Sequence, residues 1–418
     1  MLNKSASKYI SAIASLGFAF LLTPIASVKA YTTSNATTFS YVPAGQPAFI
    51  EGLTADPVTG NVIGASFDQT VGFGGPANQN IYTWNSSGTL IGTTPFSYSL
   101  PGYTNGPQWS LGNTVIGDNL YQIDVFNGNV IKYNLSGSRI PSTVSNAWSV
   151  CGGFAGNPGL LCGLNDLAGG PDGNLYITDN AAANFGDTNS AIYRLNPTTG
   201  QSGIWYTNSL LNPAPYVPGA PNSNIPYGAN GIIFNKDYTD LFIANINQNS
   251  ILKLSVTGCD TTTTGGITGG CQPGMISTFA SGGPLSGPDN MAFDPNGNLW
   301  VASGQNNTAI QYDPSGQVLQ IVGGYNGLAS APGGGLAANT LAQPSGIVYD
   351  NGRIYIGNEQ NPNLAPVGSP IDFTNLSIDT VAYINVPEPI NVFGGLLTLG
   401  LGLTLKRQLK KITNYNRL

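Results

Sequence analysis

Asp289 to Ala302 reads DNMAFDPNGNLWVA. A short apolar strand (Met291–Phe293), a turn sequence (Asp294–Gly297) and a second strand (Asn298–Ala302) follow one another, which is the signature of a β-hairpin. Five other stretches carry the same phrase. Glu51 begins EGLTADPVTGNVIGAS, Gln108 begins QWSLGNTVIGDNLYQID, Asn165 begins NDLAGGPDGNLYITD, Asn230 begins NGIIFNKDYTDLFIAN and Ser345 begins SGIVYDNGRIYIGN. The six starts lie 57, 57, 65, 59 and 56 residues apart. Repetition at a near-constant period marks a repeat architecture.

Most units continue into a third strand, often aromatic and ending in another turn, such as IYTWNSSGTL from Ile81, VIKYNLSGSRI from Val130 and IYRLNPTTGQ from Ile192. Six units of three or four antiparallel strands, arranged radially, predict an all-β fold: a six-bladed β-propeller of four-stranded blades. Tight hairpins inside each unit disfavour a solenoid of parallel strands. The sixth unit ends with a third strand at Val381–Val386, and no fourth strand follows it. The run Thr37–Val42 has no hairpin partner of its own. It is predicted to pair into the last blade and close the ring, which removes a free sheet edge. Segments rich in Gly, Pro, Asn and Thr, such as Val71–Gln79, Asn208–Asn224 and Gly323–Thr340, are loops and candidate walls of a binding face.

Composition supports this reading and excludes others. Only 8% of the 418 residues are charged, 56 are Gly and none is His. Many short strands joined by Gly, Pro and Asn turns give such a composition. With a net charge of -6 no basic surface is available to neutralise phosphates, so nucleic acid is excluded as a partner.

Three regions are expected: 1–30 as a signal peptide, 31–385 as the propeller and 386–418 as a sorting segment. Lys4 and Lys8 precede an apolar run, and Val28-Lys29-Ala30 supplies small residues before a cut at Tyr31. An uncleaved N-terminal anchor is the alternative, though the run is short for a membrane span. At the other end Pro387-Glu388-Pro389 is followed by an apolar run, Ile390 to Leu405, expected to form a helix, and then by Lys406-Arg407 and Lys410-Lys411. This order resembles the PEP-CTERM sorting signal. The resemblance implies a bacterial exporter, an exosortase-type processing enzyme as partner and transient membrane insertion. A plain C-terminal anchor is the alternative. Export to the periplasm, the outer surface or the extracellular matrix is expected, and in an oxidising compartment the four cysteines pair. Three connectivities are open for Cys151, Cys162, Cys259 and Cys271.

The innermost strand of a propeller blade runs along the central channel, so its first residue sits near the axis. The starts are Glu51, Gln108 (or Trp109), Asn165, Asn230, Asp289 and Ser345. Four of them, Glu51, Asn165, Asn230 and Asp289, form an all-oxygen set suited to a hard divalent cation. Calcium is the first expectation, with magnesium or manganese behind it. Zinc is disfavoured by the absence of His and the placement of Cys. Asp56, Asp172, Asp294, Asp313 and Asp350 adjoin Gly, Pro or Asn and read as turn formers. Tyr176, Phe242, Trp300 and Tyr355 read as interblade core.

The pattern resembles the SMP-30/gluconolactonase family of six-bladed propellers. The matching residues are Glu51-Gly52, Asn165-Asp166 with Pro171-Asp172-Gly173, Asn230-Gly231 with Leu241-Phe242, and Asp289 with Gly297 to Ala302. The resemblance implies a metal held by Glu51, Asn230 and Asp289, with Asn165 at the metal or the substrate. Paraoxonase-like lactonases share this ring and an adjacent Asp-Asn, as at Asp289-Asn290, but use histidines that this chain lacks. No counterpart of the family's sugar-gripping Arg stands around Cys151–Leu164. If catalytic, the chain is expected to hydrolyse a lactone or ester with cation assistance. Asp289 would take a proton from water, Asn165 would orient the substrate, and Trp109 or Trp148 would wall the pocket. The alternative is a non-catalytic exported propeller that binds a ligand or polysaccharide, with a structural cation.

Overall fold

A computed structural model describes residues 32–34, 36–40, 42, 49–67, 79–98, 108–151, 162–180, 189–214, 227–259, 269–323, 341, 343–358 and 381–386. The expected signal peptide, the Pro-Glu-Pro segment with the helix expected after it, and most of the expected long loops lie outside these residues. The chain divides at Thr32/Thr33, and the propeller belongs to the second part.

After β1 (Thr32–Ser34) and β2 (Thr37–Ser40), the strands fall into six sheets. Blade 1 is β3 (Phe49–Ala55), β4 (Val62–Phe67), β5 (Asn80–Trp84) and β6 (Leu90–Pro95). Blade 2 is β7 (Ser110–Ile116), β8 (Asn119–Asp124), β9 (Asn129–Ser136) and β10 (Ile140–Ser149). Blade 3 is β11 (Leu164–Gly169), β12 (Leu175–Asp179), β13 (Ala191–Leu195) and β14 (Ser202–Thr207). Blade 4 is β15 (Ala229–Phe234), β16 (Asp240–Asn245), β17 (Ser250–Thr257) and β18 (Gln272–Ser281). Blade 5 is β19 (Pro288–Phe293), β20 (Leu299–Ser303), β21 (Thr308–Tyr312) and β22 (Val318–Gly323), and β1 adds a fifth strand outside β22. Blade 6 is β23 (Pro344–Asp350), β24 (Arg353–Asn358), β25 (Val381–Asn385) and β2.

Blade 6 is completed as the sequence predicts. Thr37 pairs with Tyr383 and Ser40 with Val381, antiparallel. Each inner strand lies against the next, and β23 lies against β3. The Ser345 hydroxyl donates to the Ile50 carbonyl at that last seam (3.1 Å). A six-bladed, all-β propeller results. Among the described residues the one helical piece is a single 3-10 turn, Gly304–Asn306.

Local chemistry explains the hairpins. In the turn after β19, Asp294 Oδ1 accepts from Asn296 N–H (2.9 Å) and Asn298 N–H (3.0 Å), and Gly297 supplies the left-handed residue at φ 79°. Asp294 Oδ2 also accepts from Gln311 Nε2 (2.8 Å), so the turn is tied to the third strand of its blade. Asp172 does the same in blade 3 from two positions later in its turn, and it reaches further. Its Oδ2 accepts from Tyr176 Oη (2.7 Å) and from the backbone N–H of Cys271 (3.2 Å) in blade 4. The turn aspartates therefore do more than shape turns.

Aromatic rings fill the seams between blades. Tyr176 of blade 3 meets Phe234 of blade 4 edge-on at 5.1 Å, and Phe242 of blade 4 meets Phe293 of blade 5 at 5.2 Å. The last residue of the second strand pins the backbone that leads into a blade. Asp124 accepts from Trp109 N–H (3.0 Å), Asp179 from Gly163 N–H (2.8 Å), and Asn245 donates to the carbonyl of Leu211 (3.1 Å).

The disulfides are Cys151–Cys162 and Cys259–Cys271, which selects one of the three open connectivities. Cys271 is fully buried in the seam between blades 3 and 4. Replacing Cys259 and Cys271 together with serine is expected to cost about 3 kcal/mol, the loop-closure effect of a crosslink over so short a span. Denaturant unfolding of the oxidised protein and the double variant measures it. A difference within error would show that the bond adds no stability.

Candidate functional site

All six inner strands are interrupted at the same place. The pairing of each with its neighbour shifts between Ile50 and Gly52, Ser110 and Asn113, Leu164 and Leu167, Ala229 and Ile232, Pro288 and Met291, and Pro344 and Ile347. A bulge leaves a residue unpaired and re-aims its side chain. The first residue within each shift is Glu51, Leu111, Asn165, Asn230, Asp289 and Ser345. Five of these six are the sequence-predicted starts. Blade 2 is corrected: Leu111 occupies the position, and Gln108 and Trp109 lie upstream of it. The backbone there is held by Gln79, whose side chain bonds Gln108 O and Ser110 N–H. Trp148 is also corrected as a pocket wall. It sits on the outer strand β10, stacked on Tyr121 at 6.2 Å, within the core between blades.

The residue that follows each of these is Gly52, Gly112, Asp166, Gly231, Asn290 and Gly346. The glycines are there because neighbouring blades touch. A Cβ on Gly52 would lie 2.1 Å from Leu111 O, on Gly231 2.2 Å from Asp289 O, and on Gly346 2.5 Å from Glu51 O. The bulges thus form one tier around the channel. Gly231→Ala is expected to push the Asp289 segment outward and lower both stability and any activity of the site. Melting temperature together with turnover measures this, and unchanged values would show that the two strands yield freely.

Within this tier Asn165 Nδ2 donates to Glu51 Oε1 (3.3 Å). These residues belong to blades 1 and 3, so the bond reaches past blade 2 across the channel. Asn165, Asn230 and Asp289 are all buried, and Glu51 is half-buried. Asn230 Oδ1 is buried without a hydrogen-bond partner, while its backbone carbonyl accepts from the Thr178 hydroxyl. An orphaned carboxamide oxygen in a tier that also carries two carboxylates and a second carboxamide is a donor set that fits a hard cation. Among the described residues no three His, Cys, Asp or Glu side chains cluster. Any cation at this tier therefore rests on two carboxylates and amide oxygens.

Asp166 and Asn290 replace glycine in two blades, a departure from the repeat that could have marked them in the sequence. Asp166 Oδ2 accepts from Ile232 N–H of blade 4 (3.0 Å), and its carboxyl is also bonded by the Asn290 side chain of blade 5. Burial pushes the Asp166 carboxyl up to about 7, against the opposing pull of the Ile232 and Leu167 N–H groups and the Asn290 side chain. Asp166 thus ties three blades together just inside the tier of Asn165.

Residues 155–325 match the SMP-30/Gluconolactonase/LRE-like region family, a span that contains blades 3 to 5. Two solved structures share the fold. One is a calcium-binding protein, regucalcin, from Agrobacterium tumefaciens, at 13% identity and a TM-score of 0.50, covering 85% of this chain and 95% of that one. The other is a luciferin-regenerating enzyme, at 13% identity and a TM-score of 0.53, covering 82% and 93%. No curated protein matches the chain.

Proposed function

We propose that the protein is an exported, cation-dependent hydrolase of lactones or esters, with Glu51, Asn165, Asn230 and Asp289 holding a calcium ion. The observation that carries this reading is the buried, partnerless Asn230 Oδ1 in a tier that also presents Glu51, Asn165 and Asp289. The match of residues 155–325 to the gluconolactonase region, and the calcium-binding description of one structure with this fold, support it.

A bound divalent cation supplies Lewis acidity at an ester carbonyl and lowers the pKa of water. The side chains do the rest. Glu51 and Asp289 would be the two carboxylates that hold the cation, and its charge would offset their mutual repulsion. Asn165 now turns its NH2 group toward Glu51. A cation held by Glu51 would call for the Asn165 carboxamide oxygen, and the N–H groups of that amide would then be available to orient a substrate oxygen. Asp289 accepts the proton of the attacking water. The test is hydrolysis of a panel of lactones and aryl esters with calcium and with chelator. No chelator-sensitive turnover on any member would leave a non-catalytic binding propeller.

Export rests on Lys4, Lys8 and the Val28-Lys29-Ala30 cut at one end, and on Pro387-Glu388-Pro389 with its basic flank as an exosortase-type signal at the other. Both disulfides suit an oxidising compartment. Mass spectrometry of the exported protein reads both ends. A mature chain that begins at Met1 and retains Leu418 would overturn this part of the proposal.

A further inference from the structure

Between Tyr31 and Leu405 the chain carries Lys132, Arg139, Arg194, Lys236, Lys253 and Arg353 as its basic side chains. All of them are described residues, and none stands at the end of the channel where Glu51 and Asp289 lie. Inner strands start at that end, so the turns from first to second strand and from third to fourth lie at the opposite end. Arg139 is in the turn from β9 to β10, bonded to Asp56 (2.7 Å) and Asp118 (2.6 Å). Lys236 is in the turn from β15 to β16. Arg353 opens β24 and donates to Ser86 O (3.2 Å) in the turn from β5 to β6. Arg194 is buried 3.9 Å from Asp172, in the turn from β11 to β12. The Lys253 ammonium lies 3.1 Å from Asp240, which opens β16 at the far end. Lys132 is in mid-strand on β9, two strands out from the channel, and pairs with Tyr121.

Acids stand at both ends. At the far end Asp56, Asp118, Asp172 and Asp240 each face one of these cations. At the other end Glu51, Asp166 and Asp289 are joined by Asp124 and Asp179, which close the second strands of blades 2 and 3. The far-end cations are about 15–20 Å away, five or six residues along a strand, which is about twice the screening distance in physiological salt. Among the described residues the Glu51 end therefore has no fixed positive charge of its own. A cation held by Glu51 and Asp289 would be the one positive group a ligand meets there.

We propose that the Glu51–Asp289 site takes uncharged and cationic esters or lactones and rejects anionic ones. This rests on the hydrolase reading above and adds the charge class of its substrate. A negative group elsewhere on the substrate would lose its water with no guanidinium or ammonium to replace it. It would also approach an end where acids outnumber bases. A quaternary ammonium on the same scaffold meets the opposite field, which raises its local concentration and its rate of encounter.

The experiment compares three phenyl esters of one chain length on the calcium-loaded protein: phenyl hexanoate, phenyl 6-(trimethylammonio)hexanoate and monophenyl adipate. The adipate is expected to have a kcat/KM at least tenfold below the hexanoate, and the ammonium ester to equal or exceed it. The gap should narrow as sodium chloride rises from about 20 mM to about 0.5 M. Gln305 is half-buried beside Gly287, at the start of the Asp289 strand. Gln305→Arg should raise turnover of the adipate at least threefold and leave the hexanoate unchanged, and Gln248→Arg in blade 4 serves if that variant does not fold. Equal kcat/KM for the three esters, or a faster adipate, would overturn the proposal. If none is hydrolysed, the hydrolase reading falls, and the charge class is read separately from paramagnetic broadening of the Tyr227, Asn247 and Gln305 N–H signals. Stronger broadening by 4-amino-TEMPO than by 4-carboxy-TEMPO is expected. Equal broadening, or stronger broadening by the anion, would overturn the proposal on its own.

Discussion

Replacing Asp289 with alanine is expected to lower kcat/KM on the best lactone by about 10²–10⁴-fold, the range for loss of a positioned proton acceptor. Calcium binding should weaken in parallel. The reason lies in the charge count of the tier, where Glu51 and Asp289 are the two carboxylates. Asp166, which follows Asn165 directly, is bonded to Ile232 N–H and Asn290 and is pushed toward neutrality by burial. It is poorly placed to substitute. Asp289→Asn separates the two contributions, because it keeps an oxygen ligand and removes the proton acceptor. It should retain more cation affinity than the alanine variant while remaining as slow. The measurements are calorimetric calcium titration and turnover on the same preparations, with thermal unfolding to confirm the fold. An alanine variant that hydrolyses as fast as the parent, with or without chelator, would sink the catalytic assignment.

The largest stability effect is expected at Asp172→Ala, at about 3–5 kcal/mol of destabilisation, the range for breaking a buried charge pair. Asp172 and Arg194 are both essentially inaccessible, with Arg194 Nη1 3.9 Å from Asp172 Oδ2. Arg194 Nη1 also donates to Cys271 O (3.2 Å), and Trp205 Nε1 donates to the same carbonyl (3.0 Å). Together with the bonds from Tyr176 and Cys271 N–H to Asp172, this network joins blades 3 and 4. Removing the carboxylate leaves a guanidinium buried without its counter-charge and strands the Tyr176 hydroxyl. Asp172→Ala with Arg194→Met should recover a large part of the loss, since two apolar side chains replace a desolvated pair. Urea unfolding of the two single variants and the double variant gives the coupling. Strict additivity would show that the two residues act independently.

The hairpins, the blade count and the closing strand were legible in the sequence because their causes are local. Alternating apolar residues, Gly297 at a left-handed turn position and Asp294 bonding its own turn act within a few residues. Even Thr37–Val42 betrayed its place, since a strand without a hairpin partner must find an edge elsewhere. Blade 2 was misphased because Gln108, or Trp109 beside it, resembled a start. Its bulge falls at Leu111-Gly112, and the cue was the glycine, which is needed where the next blade's backbone comes within contact of a Cβ. Trp148 was misplaced because an aromatic residue near a loop looks the same in sequence whether it faces a channel or a neighbouring blade.

The sequence by itself determined a ring of six hairpin repeats and put Glu51, Asn165, Asn230 and Asp289 at one repeated position. Both follow from short-range rules, period-two alternation and turn chemistry, that operate without knowledge of the fold. The tertiary structure alone decided what those residues meet. It set Asn165 against Glu51 across the channel, left Asn230 Oδ1 without a partner, and spent Asp166 on three blades. It also joined Asp172 to a cysteine 99 positions away. Such pairings depend on how twisted sheets close around an axis, and closure brings together side chains whose separation along the chain carries no trace of the contact.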